Sequence, residues 1–230
     1  MKKTTAFRHL TAGMPLAAAL LLMSLSTSVP AAETKPAKPS VAPGELSLFD
    51  GKTLRGWKVA DFAGHGEVSV TNNQIIIGQG VMTGIAYTNN DLPKVDYEVS
   101  LQAQRVEGSD FFCALTFPVK EDVCTLVVGG WGGGLVGISS LDGMDASENE
   151  TTTFTDFKNG RWYEIRVCVR PDRIRAWIDG ESVVNVSIED RKVHMRFGEI
   201  EMSGPLGLAT WRTTGAFRNI RLRPLPPEPK

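Results

Sequence analysis

The stretch GRWYEIRVCVRPDRIRAWIDG, Gly160 to Gly180, restricts the fold more than any other part of the chain. Tyr163, Ile165, Val167 and Val169 alternate with other residues, and Ile174, Ala176 and Ile178 repeat the pattern. Alternation of period two marks a strand with one buried face. With Pro171-Asp172 as the turn, Val169 opposes Ile174, Val167 opposes Ala176 and Ile165 opposes Ile178. Both apolar sets then share one side, and a slip of one residue would turn one set to the other face. The remaining side carries Glu164 opposite Asp179, Arg166 opposite Trp177, and Cys168 opposite Arg175. The spacing predicts an antiparallel hairpin in this register.

The same period recurs along the chain. EVSVTNNQIIIG reads as a hairpin turning at Asn72-Asn73. DYEVSLQAQRV alternates Tyr97, Val99, Leu101 and Ala103 against polar residues, and DFFCALTF and CTLVVGG follow. Windows with helical spacing are short and interrupted by Gly or β-branched residues. Many short strands separated by turn signals predict an all-β sandwich or jelly roll of two antiparallel sheets. ELSLFDGKTLRGWK opens it with a short edge strand, an Asp50-Gly51 turn and Trp57, a large anchor to be buried against something downstream.

Residues 1–32 read as a signal peptide: Lys2, Lys3 and Arg8, an apolar run from Met14 to Leu25, then the small-residue exit SVPAAE. The run falls short of the roughly 20 apolar residues of a membrane span. This predicts a secreted or periplasmic protein with no membrane attachment after signal removal. Residues 33–45, with Pro36, Pro39 and Pro43, form a linker, residues 46–225 one jelly-roll domain, and residues 226–230 a tail. A net charge of −1 over 230 residues supplies no field for nucleic acid. Export permits disulfides. Cys113 and Cys124 would stand close to opposite if TFPVKEDV turned at Pro118-Val119, and a one-residue shift would separate them.

Four stretches occur in order: LFDGKTLRGWK, NGRWYEI, AWIDGESV and GPLGLATWRTTGAFRNIRLRPL. Together they resemble the 3-keto-disaccharide hydrolase domain family, whose members are secreted bacterial proteins on a concanavalin A-like jelly roll. The resemblance implies that LFDGKTLRGW and FRNIRL lie side by side where the sandwich closes. It also implies a carbohydrate or oxidised sugar as ligand, and a chemistry. A ketone at C3 acidifies the C2 proton, a base removes it, the C1 group leaves, and water adds. That chemistry needs a base within reach and a group to stabilise the enolate. His65, in the Gly-flanked FAGHGEV with Glu67 two residues on, is the candidate base, and His194 in RKVHMRF is the other histidine of the domain. The family's aromatic–Glu–x–Gln motif has no counterpart, since no Glu or Gln stands between Cys124 and Leu141. Ser109 and Asp110 are the polar residues left near that place. The missing motif and the scarcity of bases support the alternative, a non-catalytic carbohydrate-binding or adhesion module on the same fold.

Candidate ligand-binding residues are aromatic or stand beside an aromatic. Trp177 with Arg166 is either a solvated cation–π pair or a sugar platform. Trp131, in GGWGGGLVG, is either a ring presented by a glycine-rich loop or part of two closely packed strands. Trp211 is a third platform. The acidic LDGMDASENE, with Asp142, Asp145, Glu148 and Glu150, is a candidate Ca²⁺ loop set against the commoner acidic surface loop. No His/Cys set has zinc spacing.

Overall fold

The computed structural model describes residues 44–228. Residues 1–32, read as a signal peptide, and most of residues 33–45, read as a linker, lie outside the described residues. The chain forms β1 (Leu46–Ser47), β2 (Trp57–Val59), β3 (Val68–Thr71), β4 (Gln74–Ile77) and β5 (Met82–Tyr87). Next come β6 (Tyr97–Gly108), β7 (Cys113–Val119), β8 (Asp122–Gly130), β9 (Leu135–Ser139) and β10 (Thr153–Phe154). The last are β11 (Trp162–Val169), β12 (Arg173–Ile178), β13 (Glu181–Ser187), β14 (Gly207–Trp211) and β15 (Thr213–Pro224). A 3₁₀ turn, Glu199–Ser203, precedes β14. No helix among the described residues is long and apolar enough to cross a membrane.

Two antiparallel sheets form a jelly-roll sandwich. The first runs β13-β12-β11-β6-β15-β4-β3, with β1 added to β15, and the second runs β10-β9-β8-β7-β14-β5-β2. Ile165 pairs with Ile178, Arg166 with Trp177, and Val169 with Ile174, so the hairpin adopts the expected register. Its buried face joins Val99, Leu101 and Phe217 against Leu115, Phe117, Leu126 and Ile138 of the second sheet. Each fully buried Leu or Ile of this kind contributes about 1.5–3 kcal/mol. β6 sits between β11 and β15 and alternates buried and half-buried positions from Tyr97 to Arg105.

The two closing motifs of the domain meet as the resemblance implies. Leu46 pairs with Leu222, and the Leu48 N–H donates to the Ile220 carbonyl at 2.9 Å. Trp57 is 7% exposed, donates its indole N–H to the Leu48 carbonyl at 2.8 Å, and meets Tyr87 edge-on. Burial of an indole needs such an acceptor, and the opening turn supplies it.

The β7–β8 turn sits at Lys120–Glu121 rather than Pro118-Val119, since Val119 pairs with Asp122. Cys113 therefore faces Val128, Cys124 faces Phe117, and all three cysteines are free and buried. Burial pushes the Cys124 thiol up to about 12 and raises Cys113 further.

Candidate functional site

The outward residues of the second sheet are small. Ala114 of β7, Thr125 and Val127 of β8, and Ser139 of β9 form the floor of a cleft of about 460 Å³. The rest of this face is covered. Phe62, from the β2–β3 loop, is buried with Ala60, Ala114 and Ala209. Gly84 of β5 makes that possible, since a Cβ there would lie 2.8 Å from the Phe62 ring and 2.7 Å from the Leu208 carbonyl oxygen.

One wall is aromatic. Phe111, just before β7, lies 6.4 Å from Trp211 at the end of β14, and its carbonyl accepts the Trp211 N–H at 3.1 Å. Trp131 comes from the β8–β9 turn, where φ is 47° at Trp131, 89° at Gly132 and 107° at Gly133. The left-handed run tips the indole outward, leaving it 45% exposed beside the cleft. Both readings of GGWGGGLVG have a part here. The ring is presented by the turn, and Gly129 absorbs a bulge against Phe112, whose ring lies 2.9 Å from an added Cβ.

The other wall is polar and comes from the β9–β10 loop and the segment before the 3₁₀ turn. Asp145 accepts the Ser139 hydroxyl at 2.6 Å, the Ala146 N–H at 2.7 Å and Arg196 at 2.6 Å. Phe197, 92% exposed, stands next to Arg196 on the rim. Glu199 accepts the Ala63 N–H at 3.0 Å, tying this wall to the loop that carries Phe62. Asp110 lines the cleft beside Phe111; one carboxylate oxygen accepts the Phe111 N–H at 2.7 Å, and the other has no hydrogen-bond partner among the described residues.

The residues singled out from sequence are dispersed. Trp131, Trp211 and Asp110 line this cleft. His65 and Glu67 are exposed in the β2–β3 loop outside the cleft lining, with His65 Nδ1 2.9 Å from the Gly66 carbonyl. Arg166 and Trp177 lie on the outer face of the first sheet, across the sandwich from Trp131. There the Arg166 guanidinium covers the indole at 4.1 Å and pairs with Glu98 at 3.1 Å. Arg218 stacks on Trp162 at 4.0 Å in the same way. The acidic loop directs its carboxylates at arginines: Asp142 and Glu150 both bind Arg191, and Asp145 binds Arg196. No group of three or more His, Cys, Asp or Glu placed to hold a metal ion occurs among the described residues. Phe111, Ser139, Arg196 and Phe197 were not foreseen; the FF pair before β7 and the basic-aromatic pair Arg196-Phe197 were the available signals.

Residues 44–223 match the sequence family described as the 3-keto-alpha-glucoside-1,2-lyase-like domain. The chain belongs to that family. The matched range includes both closing motifs and every strand of the sandwich save the last residue of β15. Solved structures share the fold of this lyase-like domain at low sequence identity. A protein of Parabacteroides distasonis is 15% identical, with a TM-score of 0.53 over 80% of this chain and 95% of its own. The Crh5 transglycosylase in complex with NAG is 15% identical, with a TM-score of 0.55 over 81% and 86%. Domain 4 of AbnA, an extracellular arabinanase of Geobacillus stearothermophilus, in complex with arabinotriose, is 13% identical, with a TM-score of 0.50 over 79% and 91%. Among curated proteins none matches the sequence significantly.

Proposed function

We propose that this domain binds a saccharide in the cleft over β7, β8 and β9. The observation that carries the reading is the convergence of Phe111, Trp131 and Trp211 beside a floor of small side chains, with Asp110 and Arg196 at the rim. Aromatic faces take the C–H face of a sugar ring, and a few placed polar groups hold its hydroxyls. The sugar ligands named for Crh5 and the AbnA domain, on the same fold, agree with it. Export, read from residues 1–32, belongs to the same proposal and is checked by the N-terminal sequence of the protein recovered from the producing cells.

A second reading, elimination from a 3-keto glycoside, is favoured by family membership and by Asp110. A carboxylate with one oxygen held and one free can accept the C2 proton of a keto sugar bound against Phe111. Arg196 would stabilise the enolate oxygen, the C1 group would leave, and water would add. His65 with Glu67 is the rival base, from the loop tied to the polar wall at Ala63.

Calorimetric titration with a 3-keto disaccharide and its unoxidised parent tests binding, and turnover in D₂O tests chemistry. Binding without cleavage leaves a carbohydrate-binding module. Cleavage with deuterium at C2 of the released sugar, faster than buffer alone, establishes elimination. No binding of either sugar overturns the cleft.

A further inference from the structure

Arg105 of β6 is 4% exposed, yet it has no ion pair among the described residues. Its Nη2 donates to the Gly133 carbonyl at 3.1 Å and to the Phe157 carbonyl at 3.0 Å. Its buried Nε has no partner, while Nη1 makes no hydrogen bond within the described residues and is open to solvent. A Cβ on Gly133 would stand 2.7 Å from Nη1, so the glycine leaves free the space the guanidinium uses. Burial of Nε without a partner carries a desolvation cost, eased in part by the Phe112 ring 5.4 Å from the guanidinium carbon, and a counter-ion at Nη1 would ease it further. Burial lowers its pKa, and Asp110 and Asp156 act on it only from beyond ion-pairing distance.

Arg105 lines a shallow depression of about 490 Å³ with Ser109, Gly133, Phe154, Asp156 and Asn159. Phe154, on the edge strand β10, is 72% exposed. The depression lies on the far side of the Trp131 turn from the sugar cleft: Trp131 and Asp110 line the cleft, while Gly132 and Ser109 line the depression.

We propose that this depression is a second subsite, in which the Arg105 guanidinium takes the carboxylate of an acidic sugar and Phe154 takes that sugar's apolar face. The inference rests on the saccharide cleft, of which this subsite is the continuation past Trp131. With both Nη2 hydrogens held by the carbonyls and Nε buried, Nη1 is the donor open to a ligand, and a singly charged carboxylate can accept from it in a charge-assisted bond. A doubly charged phosphate would be opposed more strongly by Asp156 on the rim. Lys158, paired with Asp156 on the exposed rim, lessens this repulsion without removing it.

The test titrates the protein with a glucuronosyl-glucose disaccharide and with the same disaccharide reduced to the neutral alcohol. The acid form should bind about 10-fold tighter or better, the worth of a hydrogen bond to a charged group, and the advantage should shrink as salt rises. Ser109→Asp, which adds a negative charge to the exposed lining of the depression, should abolish the advantage of the acid form. Phe154→Ala should weaken the acid form several-fold without lowering the melting temperature. Equal affinity for the two forms, or indifference to Ser109→Asp, overturns the subsite. Acetate that competes as tightly as the disaccharide overturns the sugar assignment. Neutral binding lost in Trp211→Ala, with no preference for acid, upholds the cleft and fails the subsite. Acid binding that responds to Ser109→Asp but ignores Trp211→Ala does the reverse.

Discussion

The hydroxyl of Thr116 lies 2.7 Å from that of Ser203, 87 residues later, and both residues are buried. Thr116 also reaches Thr125 at 3.1 Å, and Ser203 donates to the Ile200 carbonyl at 2.6 Å. These bonds fasten the 3₁₀ turn, and with it Ile200 and Glu199 of the cleft wall, to β7 and β8. Ser203→Ala should destabilise the domain by about 1–3 kcal/mol, because it removes the shorter of the two bonds to the buried Thr116 hydroxyl and the Ser203 donor to the Ile200 carbonyl. Urea unfolding measures this; an unchanged midpoint would show that the turn is held by other contacts.

Trp131 presents its ring without supporting the core. Trp131→Ala should weaken saccharide binding several-fold and shift the melting temperature by no more than about 2 °C, as expected of a surface change. A large fall in melting temperature would mean that the ring is needed for the turn instead.

The two candidate bases separate cleanly. If elimination occurs, Asp110→Asn should slow it by about 10²–10⁴-fold, the usual worth of a positioned base. His65→Ala should leave the rate within a few-fold of the parent. The opposite pattern would assign the base to His65 and require the β2–β3 loop to reach into the cleft.

Asp50 supplies a pH signature of the opening turn. Its carboxylate accepts the Lys52 N–H, then the Thr53 N–H and the Thr53 hydroxyl, each at 2.7 Å, and these bonds lower its pKa from 3.8 to about 2. The folded state thus holds the anion more firmly than the unfolded chain does. The contribution is complete above the unfolded pKa and is lost as pH falls through the folded one. Stability should decline between about pH 4 and 2, and Asp50→Asn should flatten that part of the profile. An identical slope in the variant would show that other carboxylates account for it.

Cys113, Cys124 and Cys168 should resist Ellman's reagent in the native state and yield three thiols on denaturation. Recovery of a single thiol would mean that the chain closes a disulfide which the β7–β8 register disfavours.

Much of the sandwich was legible because its information is local. In the β11–β12 hairpin, period-two alternation and a two-residue turn leave one workable register, and Arg166 stands opposite Trp177 as that register requires. The β7–β8 hairpin was harder: every position of β7 is buried, so alternation cannot choose between neighbouring turns. The cleft was legible only in fragments. Trp131, Trp211 and Asp110 could be named, but their meeting depends on which face of which sheet each reaches. The polar wall was hidden for a further reason. Asp145 and Arg196 are 51 residues apart and meet through loops without periodicity.

Gly84 gives the cleft an asymmetry of another kind. Its rings and rim charges can be exchanged one at a time, and such exchanges would retune the domain for a different ligand while the sandwich stayed intact. At Gly84 the Phe62 ring and two backbone-linked neighbours crowd the place of any side chain. Descent with modification therefore has wide room along the walls of this pocket and almost none beneath the Phe62 ring, which covers a neighbouring part of the same sheet.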